Sequence, residues 1–382
     1  MSRSLCLVLW TVGLIAVEIE QDFKRDEALW VSDGITGITT IVQRGKPKRY
    51  SEAMLVDGVH FRPGAAADLS ATIGGGDFNS GGLLGVHGPQ GHIRFTGVWQ
   101  GDQGGGYPML VLQEGGHFTI AAEARIDFVM AENFFTRQLW VWGDGSGVLE
   151  LEPGFIADRS RGGQEPDAMG TIRLAGATLI SHATHSLPQH ARPDGRGGVY
   201  LNGHVVFEGD RPSTWSVQSE AQWYGAQIDF SRDGTIDCQA PLTHHGQLRR
   251  CLPVGNGGHF VSSGAFRTRS AGVTIRKTGA AMLSLEGQQA YQPGARLVVE
   301  EGLLRLYSDP AAGDRVDAER YGDHLQLVVR PGASLLLAAP LVRLASLEVA
   351  AGATVWQLDG CRLAVAGERL VAAGAEWITG DR

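Results

Sequence analysis

The sequence predicts an all-β protein, a single-stranded, right-handed parallel β-helix (a β-solenoid) with loop excursions. Three observations favour this fold class. Glycine makes up 54 of the 382 residues, about twice its usual share, without the three-residue period of collagen. Short segments that alternate apolar and polar residues fill the chain after residue 28. Late segments repeat one form, in which a Gly and a small or polar residue precede the alternating positions.

The N-terminal segment 1–27 differs from the rest of the chain. One Arg precedes an uncharged, mostly apolar run over residues 5–17, and a charged stretch follows. The run is shorter than the roughly 20 residues that span a bilayer, and it resembles the charged start and apolar middle of a secretory signal. A small-x-small cleavage site is missing, and a buried first strand or helix is the alternative. We expect no transmembrane span and export to the extracellular space or cell surface, or to the periplasm or outer membrane.

Residues 28–382 are expected to form one continuous body. Segments such as HIRF, HFTI and GVLEL alternate with period two and end at Gly, Asn or Asp, which is typical of strands separated by turns. No helix of ten or more residues is predicted, and no Ser/Thr/Pro tract or charge block divides the chain. Glycine- and proline-containing stretches such as 156–170 and 181–198 are interpreted as excursions from the corners.

The repeated form is clearest late in the chain. Its members are PGARLVV (293–299), EGLLRLYS (301–308), PGASLLL (331–337), AGATVWQL (351–358), GCRLAVAG (360–367) and AGAEWIT (373–379). The spacing between Gly332 and Gly352 is close to the length of one turn of a solenoid. A short strand cannot bury its apolar face alone, but the next turn, about 4.8 Å along, gives it a partner.

The alternative fold is a β-sandwich or jelly roll, which also has short strands at regular spacing. The similarity of successive units favours the solenoid, as does the scarcity of two-residue hairpin turns. Two segments are exceptions that we interpret as hairpins, SRDGTI (231–236) and LNGHVV (201–206).

The stretch KTGAAMLSLEGQQAYQPGARLVVEEGLLRL, residues 277–306, resembles the autotransporter-associated β-strand repeat. The matching positions are Lys277, Thr278, Gly279, Leu283, Leu285, Gly287, Tyr291, Gly294, Val298 and Gly302. The sequence departs from the pattern at Ala281, Met282, Gln289 and Pro293. Residues 325–379 match only in style, and the first two-thirds of the chain match no repeat.

This resemblance implies a parallel β-helix of the kind found as passengers in large exported bacterial surface proteins. It implies no catalytic residues, so none is assigned from it. The outer-membrane barrel that usually follows such a passenger is not recognisable in the sequence, because alternating strands with aromatic ends are missing. The chain therefore resembles either a passenger without the barrel or a fragment of a longer protein.

Charge and motifs restrict the partners. The formal net charge is −8, and the densest basic run is only KPKR at 46–49, which argues against a nucleic-acid ligand. A glycan or another cell-surface component is the expected partner. Motifs such as GxSxG, HExxH and GxxxxGK do not occur, and we expect no cofactor.

Three carboxylates in AQIDFSRDGTIDC, Asp229, Asp233 and Asp237, are the best catalytic candidates. A spacing of four places residues on one side of a strand, and paired acids cleave polysaccharides in glycosidases. The intervening turn breaks that line, so structural roles and a Ca²⁺ site are the alternatives.

Histidines cluster in SHATHSLPQH as His182, His185 and His190. Residues three apart on a strand point to opposite faces, so these histidines would bind a metal only if a loop made them converge. Solvated loop residues are the alternative, and no metal site is predicted.

Aromatic residues suggest a place where a sugar ring could stack. Trp140 and Trp142 share one strand face, and Trp223 lies in a second aromatic segment. Outward tryptophans would suit glycan binding, whereas inward ones would fill the core.

Cysteines are few. Cys238 and Cys251 flank a loop that a disulfide could bridge in an oxidising compartment. Buried thiols that behave as small apolar side chains are the alternative.

Three functions are compatible with these features. The first is a non-catalytic, exported structural or adhesive protein. The second is a carbohydrate-active enzyme, a polysaccharide lyase or glycoside hydrolase, with its acids near Asp229. The third is a glycan-binding module without turnover. Since solenoids host all three, the fold alone does not separate them.

Overall fold

The structure is a computed structural model. It describes residues 17–22, 28–31, 37–44, 58–62, 68–75, 82–101, 109–128, 138–155, 158–161, 165–168, 171–182, 204–224, 228–246, 252–254, 258–260, 265–311 and 324–380. Within these ranges the chain forms 38 strands and no helix, so the predicted all-β class is confirmed.

Most strands fall into three ladders of parallel strands. Ladder 1 contains β2 (Ala28–Val31), β4 (Gly58–Phe61), β7 (Leu83–His87), β10 (Met109–Gln113), the first half of β13 (Gln138–Leu151), the first half of β16 (Thr171–Ser181), β17 (His204–Glu208), β20 (Ile228–Phe230), β25 (Ala265–Thr268) and β28 (Gln288–Ala290).

Ladder 2 takes the strand that follows each ladder 1 strand along the chain. It contains β5 (Asp68–Leu69), β8 (His92–Phe95), β11 (His117–Ile120), the second halves of β13 and β16, β18 (Ser213–Val217), β21 (Gly234–Cys238), β26 (Thr274–Thr278), β29 (Arg296–Val299), β31 (Gln326–Val329), β34 (Ser346–Val349) and β37 (Arg369–Val371). The long strands β13 and β16 run through both ladders and join them into one sheet.

Ladder 3 follows ladder 2 along the chain and consists of two separate sheets. The first holds β1 (Val17–Asp22), β3 (Ile38–Arg44), β6 (Thr72–Gly75), β9 (Val98–Gly101) and β12 (Arg125–Phe128); the second holds β19 (Ala221–Tyr224), β22 (Leu242–Gly246), β27 (Met282–Leu285), β30 (Leu303–Leu306), β32 (Ser334–Leu337), β35 (Thr354–Gln357) and β38 (Glu376–Thr379). A short parallel pair, β33 (Leu341–Leu344) and β36 (Arg362–Val365), completes the late part.

Successive repeats stack in register. In ladder 2, Leu297 pairs with Leu327, and Leu327 pairs with Leu347. The second step equals the spacing between Gly332 and Gly352, as the glycine pattern predicts. We call each successive repeat of consecutive strands, which adds one strand to each ladder that it reaches, a coil. This arrangement of parallel ladders is compatible with a β-solenoid.

Two antiparallel pairs interrupt the parallel ladders. They are β14 (Asp158–Arg161) with β15 (Glu165–Ala168), and β23 (Leu252–Val254) with β24 (Gly258–Phe260). The first pair occupies an expected excursion between β13 and β16. Jelly rolls and immunoglobulin-like sandwiches consist of antiparallel sheets, so the parallel ladders argue against the alternative fold.

The hairpin predicted at SRDGTI is wrong. Strand β20 pairs with β17 and β25 in ladder 1, whereas β21 pairs with β18 and β26 in ladder 2. The Ser-Arg-Asp-Gly segment is therefore a corner between two ladders. Its Asp-Gly forms the bend, but the strands on either side do not pair with each other. The LNGHVV segment lies only partly among the described residues.

The core consists of inward columns of apolar side chains, one residue from each coil. Leu297, Leu327 and Leu347 form one such column, and each is at most 1% exposed. A second column stacks Phe207 on Phe230, with ring centroids 4.3 Å apart and planes 9° apart. Burial of one such side chain stabilises the fold by about 1.5–3 kcal/mol, so regular stacking supplies the main stabilising term.

Four late corners are turns of one kind. Their third positions, Gly294, Gly332, Gly352 and Gly374, have φ between 76° and 90°. The residue after each glycine is an alanine whose N–H donates across the turn to a carbonyl, at 3.0–3.1 Å. Positive φ at the third position is the signature of a type II turn, which explains the Pro-Gly-Ala and Ala-Gly-Ala sequences.

The N-terminal segment contributes one described strand. Residues 17–22 form β1, which pairs in parallel with β3 and buries Ile19. Residues 1–16, which carry most of the apolar run, lie outside the described residues.

Candidate functional site

Asp229 is a buried partner of two arginines. It lies in β20 between the core residues Ile228 and Phe230, so its carboxylate points away from the core, yet it is only 3% exposed. Arg267, its register partner on β25, donates from Nε to Oδ1 at 2.6 Å. Arg269 donates from Nη2 to Oδ2 at 2.8 Å. Such an acid joins neighbouring coils, because both its oxygens accept charge-assisted hydrogen bonds.

The other two aspartates have separate structural partners. Asp233, at the corner before β21, accepts the backbone N–H of Thr274 at 2.8 Å. Asp237 lies on ladder 2 and accepts the hydroxyls of Ser216 at 2.8 Å and Thr278 at 3.1 Å. The three predicted acids therefore lie on ladder 1, at a corner and on ladder 2, each with its own donors.

The predicted tryptophan pair is present on one strand face. The rings of Trp140 and Trp142 on β13 have centroids 5.8 Å apart and planes 20° apart. The guanidinium of Arg173 lies over Trp140, 4.5 Å from the ring centroid. Both indoles are half-buried, since they pack against each other and the neighbouring coil. Trp223 lies in β19.

Of the three histidines in the predicted cluster, the structure describes only His182. His182 follows β16 and donates from Nε2 to Oε1 of Glu150, at 2.7 Å. His185 and His190 lie outside the described residues, so their convergence stays a hypothesis.

His182 instead belongs to a group of polar residues on the outer face of ladder 2, drawn from four successive coils. We call it the imidazole cluster; it comprises His92, His117, Thr119, Glu150 and His182. The rings of His92 and His117 stack with centroids 4.3 Å apart and planes 15° apart. Glu150 accepts from Nε2 of His117 at 2.8 Å and from His182 through its other oxygen. Nε2 of His92 lies 2.8 Å from the hydroxyl of Thr119.

The local sequence explains this outward position. In β11 and β13, Phe118 and Leu149 are buried in the core, and the alternation of the strands turns His117 and Glu150 to the other face. These residues are distant in sequence but adjacent in space, because strands of neighbouring coils pair in register. The signal was present in HIRF and HFTI, which both begin with His.

The surroundings of His117 change the pKa of its imidazole. Burial lowers the pKa of His117, the neighbouring His92 lowers it further, and Glu150 acts in the opposite direction. The side chains of His117, Glu150 and His182 are 29%, 23% and 26% exposed, so solvent and solutes reach them. Imidazoles beside a carboxylate that orients them can bind anions or transfer protons.

An arginine network borders the cluster. Arg94 on β8 donates from Nε to Glu152 at 2.6 Å and from Nη1 to Glu123 at 3.0 Å. Hydrogen bonds from Arg94 lower the pKa of both Glu152 and Glu123. The ion pairs fix this edge of ladder 2 and keep both acids ionised.

A second histidine pair lies on ladder 1. His60 is fully buried, and its Nδ1 lies 2.8 Å from Nε2 of His87. Trp30 packs against both rings, with centroid distances of 4.9 Å. Burial lowers the pKa of His87, although the negative charges of Glu114 and Asp144 raise it in part. Within the described ranges, no group of three or more His, Cys, Asp or Glu side chains is arranged to hold a metal ion.

Lys277 of the repeat-like stretch is a buried structural cation. It occupies an inward position of ladder 2 between Ile236 and Val299 in register, and it is 0% exposed. Its Nζ donates to the carbonyl of Glu301 at 2.7 Å and also to that of Gly279. Burial lowers the pKa of this amine.

Tyr291 of the same stretch ends a chain of buried hydrogen bonds. Its hydroxyl donates to Oε1 of Gln289 at 2.8 Å, and Nε2 of Gln289 donates to Oγ of Ser308 at 2.8 Å. Tyr291 and Gln289 are both 0% exposed. The glutamine amide thus satisfies the polar end of a core aromatic residue.

Cys238 is buried at the end of β21, and burial raises the pKa of its thiol to about 12. Its proposed partner, Cys251, lies outside the described residues, and the disulfide stays a prediction.

The described part of the chain contains no helix that is long and apolar enough to cross a membrane. Comparisons of the sequence with protein-family models and curated proteins, and of the fold with solved structures, found no match.

Proposed function

We propose that the chain is a single-stranded, right-handed β-solenoid of the autotransporter-associated repeat type. In this proposal it is exported to the cell surface or extracellular space and acts there as a non-catalytic structural or adhesive protein. The observation that carries the proposal is the continuity of ladder 2, which stacks strands in register from β5 to β37. Such a body has a long, regular outer surface, which suits contact with extended partners.

The repeat-like stretch supports the first part of the proposal. Lys277, Gly279, Tyr291 and Gly302 each have a structural task at a corner or in the core. A Cβ on Gly302 would lie 2.5 Å from the carbonyl oxygen of Gly279 and 2.5 Å from Nζ of Lys277. These residues are therefore needed for stacking, as expected of a repeat that supplies a scaffold.

The charged residues on the outer faces support the non-catalytic, structural role in the proposal. Late in ladder 2, Arg330 lies 3.5 Å from Glu348 and 3.9 Å from Glu300, which belong to the neighbouring coils. Asp229 likewise bridges two arginines. Acids engaged in this way stabilise the stack, which favours a scaffold over a polysaccharide-cleaving site at Asp229.

One observation favours a glycan-binding module as the second candidate. Trp140 and Trp142 lie side by side on the outer face of ladder 1, where Arg173, which pairs with Glu208, also lies over the Trp140 ring. Stacking of sugar rings on such a surface would add affinity without turnover.

The test combines a binding assay and a turnover assay on the purified full chain. We expect binding on a glycan array or to intact cells, without release of reducing ends or unsaturated products from a polysaccharide panel. Turnover that disappears in a folded Asp229→Asn variant would overturn the non-catalytic proposal. Export is tested separately with a reporter fused after residue 27, and a cytoplasmic reporter would contradict it.

A further inference from the structure

We propose that the imidazole cluster is a proton-dependent binding site for acidic polysaccharides, glycans that carry carboxylate or sulfate groups. The inference rests on the proposed adhesive function and adds a site, a ligand class and a condition for binding. Its central element is the stacked pair His92 and His117, held outward by ladder 2.

The geometry makes this pair an anion acceptor once it is protonated. Two imidazolium rings with centroids 4.3 Å apart repel each other, and an anion beside both rings relieves the repulsion. Glu150 offsets part of this charge, but its two oxygens are shared between His117 and His182. Protonation of the three histidines would therefore place three positive charges around Glu150 and offset the acidic balance of this face.

Neighbouring charges oppose anions while the imidazoles are neutral. Among the residues that the structure describes, the charged and titratable groups near the pair are Asp68 on β5, Arg94 on β8, Glu123 after β11, Glu150 and Glu152 from β13 and its corner, and His182 after β16. Four carboxylates and one guanidinium give this face an acidic balance at neutral pH. The whole chain is also acidic, with a formal net charge of −8. Polyanions should consequently bind only when the histidines are charged.

The linkage between protonation and anion binding predicts how pH changes the affinity. Burial and His92 lower the pKa of His117, so proton uptake costs free energy without a ligand. A bound carboxylate or sulfate favours the charged imidazoles, and binding must therefore take up protons. The stack also suits a polymer, because a linear glycan can run across the four successive coils that supply His92, His117, Glu150 and His182.

The experiment measures binding of polygalacturonate, dextran sulfate and neutral dextran to the full chain at about pH 5 and about pH 8, on either side of the ordinary imidazole pKa. We expect about tenfold tighter binding of at least one polyanion at the lower pH, and no such gain for neutral dextran. The carboxylated and sulfated arms separate the two sources of anionic charge. Calorimetry in buffers of different ionisation enthalpy near neutral pH should show proton uptake on binding.

Two conservative variants locate the effect. His92→Gln and His117→Gln should lose most of the gain at low pH and the proton uptake, whereas His324→Gln, before β31, should retain both. Far-ultraviolet circular dichroism checks that each variant is folded. A gain that survives both cluster variants, or an equal gain with a DNA oligonucleotide, overturns the site. If the protein binds glycans equally at both pH values, this inference fails while the adhesive proposal stands.

Discussion

At the scale of single residues, the corners of the repeat-like stretch depend on the absence of a side chain at Gly279. Its φ is 75°, and a Cβ there would lie 2.3 Å from the carbonyl oxygen of Cys238 on the preceding coil. We predict that Gly279→Ala lowers the free energy of unfolding by about 2–5 kcal/mol, from left-handed strain and overpacking together. Chemical denaturation of both proteins measures the difference.

Gly332→Ala is the matched control. Gly332 has nearly the same φ, 78°, but a Cβ there meets no atom within 4 Å. It should cost only the strain of the left-handed conformation, about 1–2 kcal/mol. Equal losses in the two variants would show that the close approach to Cys238 is unimportant.

Burial also makes a prediction for the thiols. The pKa of Cys238 is raised to about 12, and its side chain is inaccessible, whereas Cys361 is partly exposed. Alkylation at about pH 8 should modify Cys361 in the native protein and Cys238 only after unfolding, because the thiolate is the reactive form. Peptide mass spectrometry resolves the sites. Modification of native Cys238 would contradict its burial, and its resistance in denaturant without a reductant would favour the disulfide with Cys251.

At the scale of elements, the four type II corners differ at their second position. Pro293 and Pro331 occupy it in two turns, and Ala351 and Ala373 in the other two. Proline fixes the φ that this position requires and restricts the unfolded chain. We predict that Ala351→Pro stabilises the protein by about 0.4–1 kcal/mol, measured as a higher denaturation midpoint.

A proline two residues later is the control for that substitution. The N–H of Ala353 donates to the carbonyl of Ala350 at 3.1 Å, so Ala353→Pro removes the hydrogen bond that closes the turn. It should destabilise the protein. If both prolines destabilise, Ala351 does not have the conformation that Pro331 has.

Strands were predictable where the alternation is strict. MLSL, RLVV and LLRL become β27, β29 and β30, since each places apolar residues inward at every second position. The hairpin at SRDGTI was wrong because Asp-Gly suits any tight bend, and only the stacking of β20 and β21 on different partners decides the topology. Local sequence carries no information on that choice.

The candidate site was less predictable than the strands. The sequence groups His182 with the histidines that follow it in the chain, yet its structural partner is Glu150, which lies one coil earlier. His92 and His117 were not identified, although they occupy the same position in successive coils. Likewise, Lys277 fitted a repeat pattern, but its complete burial depends on the carbonyls of residues 279 and 301. Sites of this kind arise from register, which the sequence specifies only once the coils are aligned.

At the scale of the whole molecule, each coil rests mainly on its two neighbours. Stability should then vary along the stack, because a coil that is covered on one side has fewer partners. Burial already shows this gradient within one inward column: Val299 in β29 is 0% exposed and Val349 in β34 is 1% exposed, whereas Val371 in β37 is 42% exposed. Local opening of β37 should therefore cost less free energy than opening of β29.

Val349 and Val371 allow a direct test, since they are register partners in the same inward column of ladder 2. Val349 is 1% exposed and Val371 is 42% exposed. Val349→Ala should lower local stability by about 1–3 kcal/mol because it leaves a cavity between coils. Val371→Ala should change it by no more than about 0.5 kcal/mol, as solvent already reaches the site. Native-state hydrogen exchange of peptides covering β34 and β37 measures both effects without assuming that the stack unfolds in one step. Equal losses would mean that stability is shared by the entire stack, and the nearest-neighbour description of the stacked coils would then have to be abandoned.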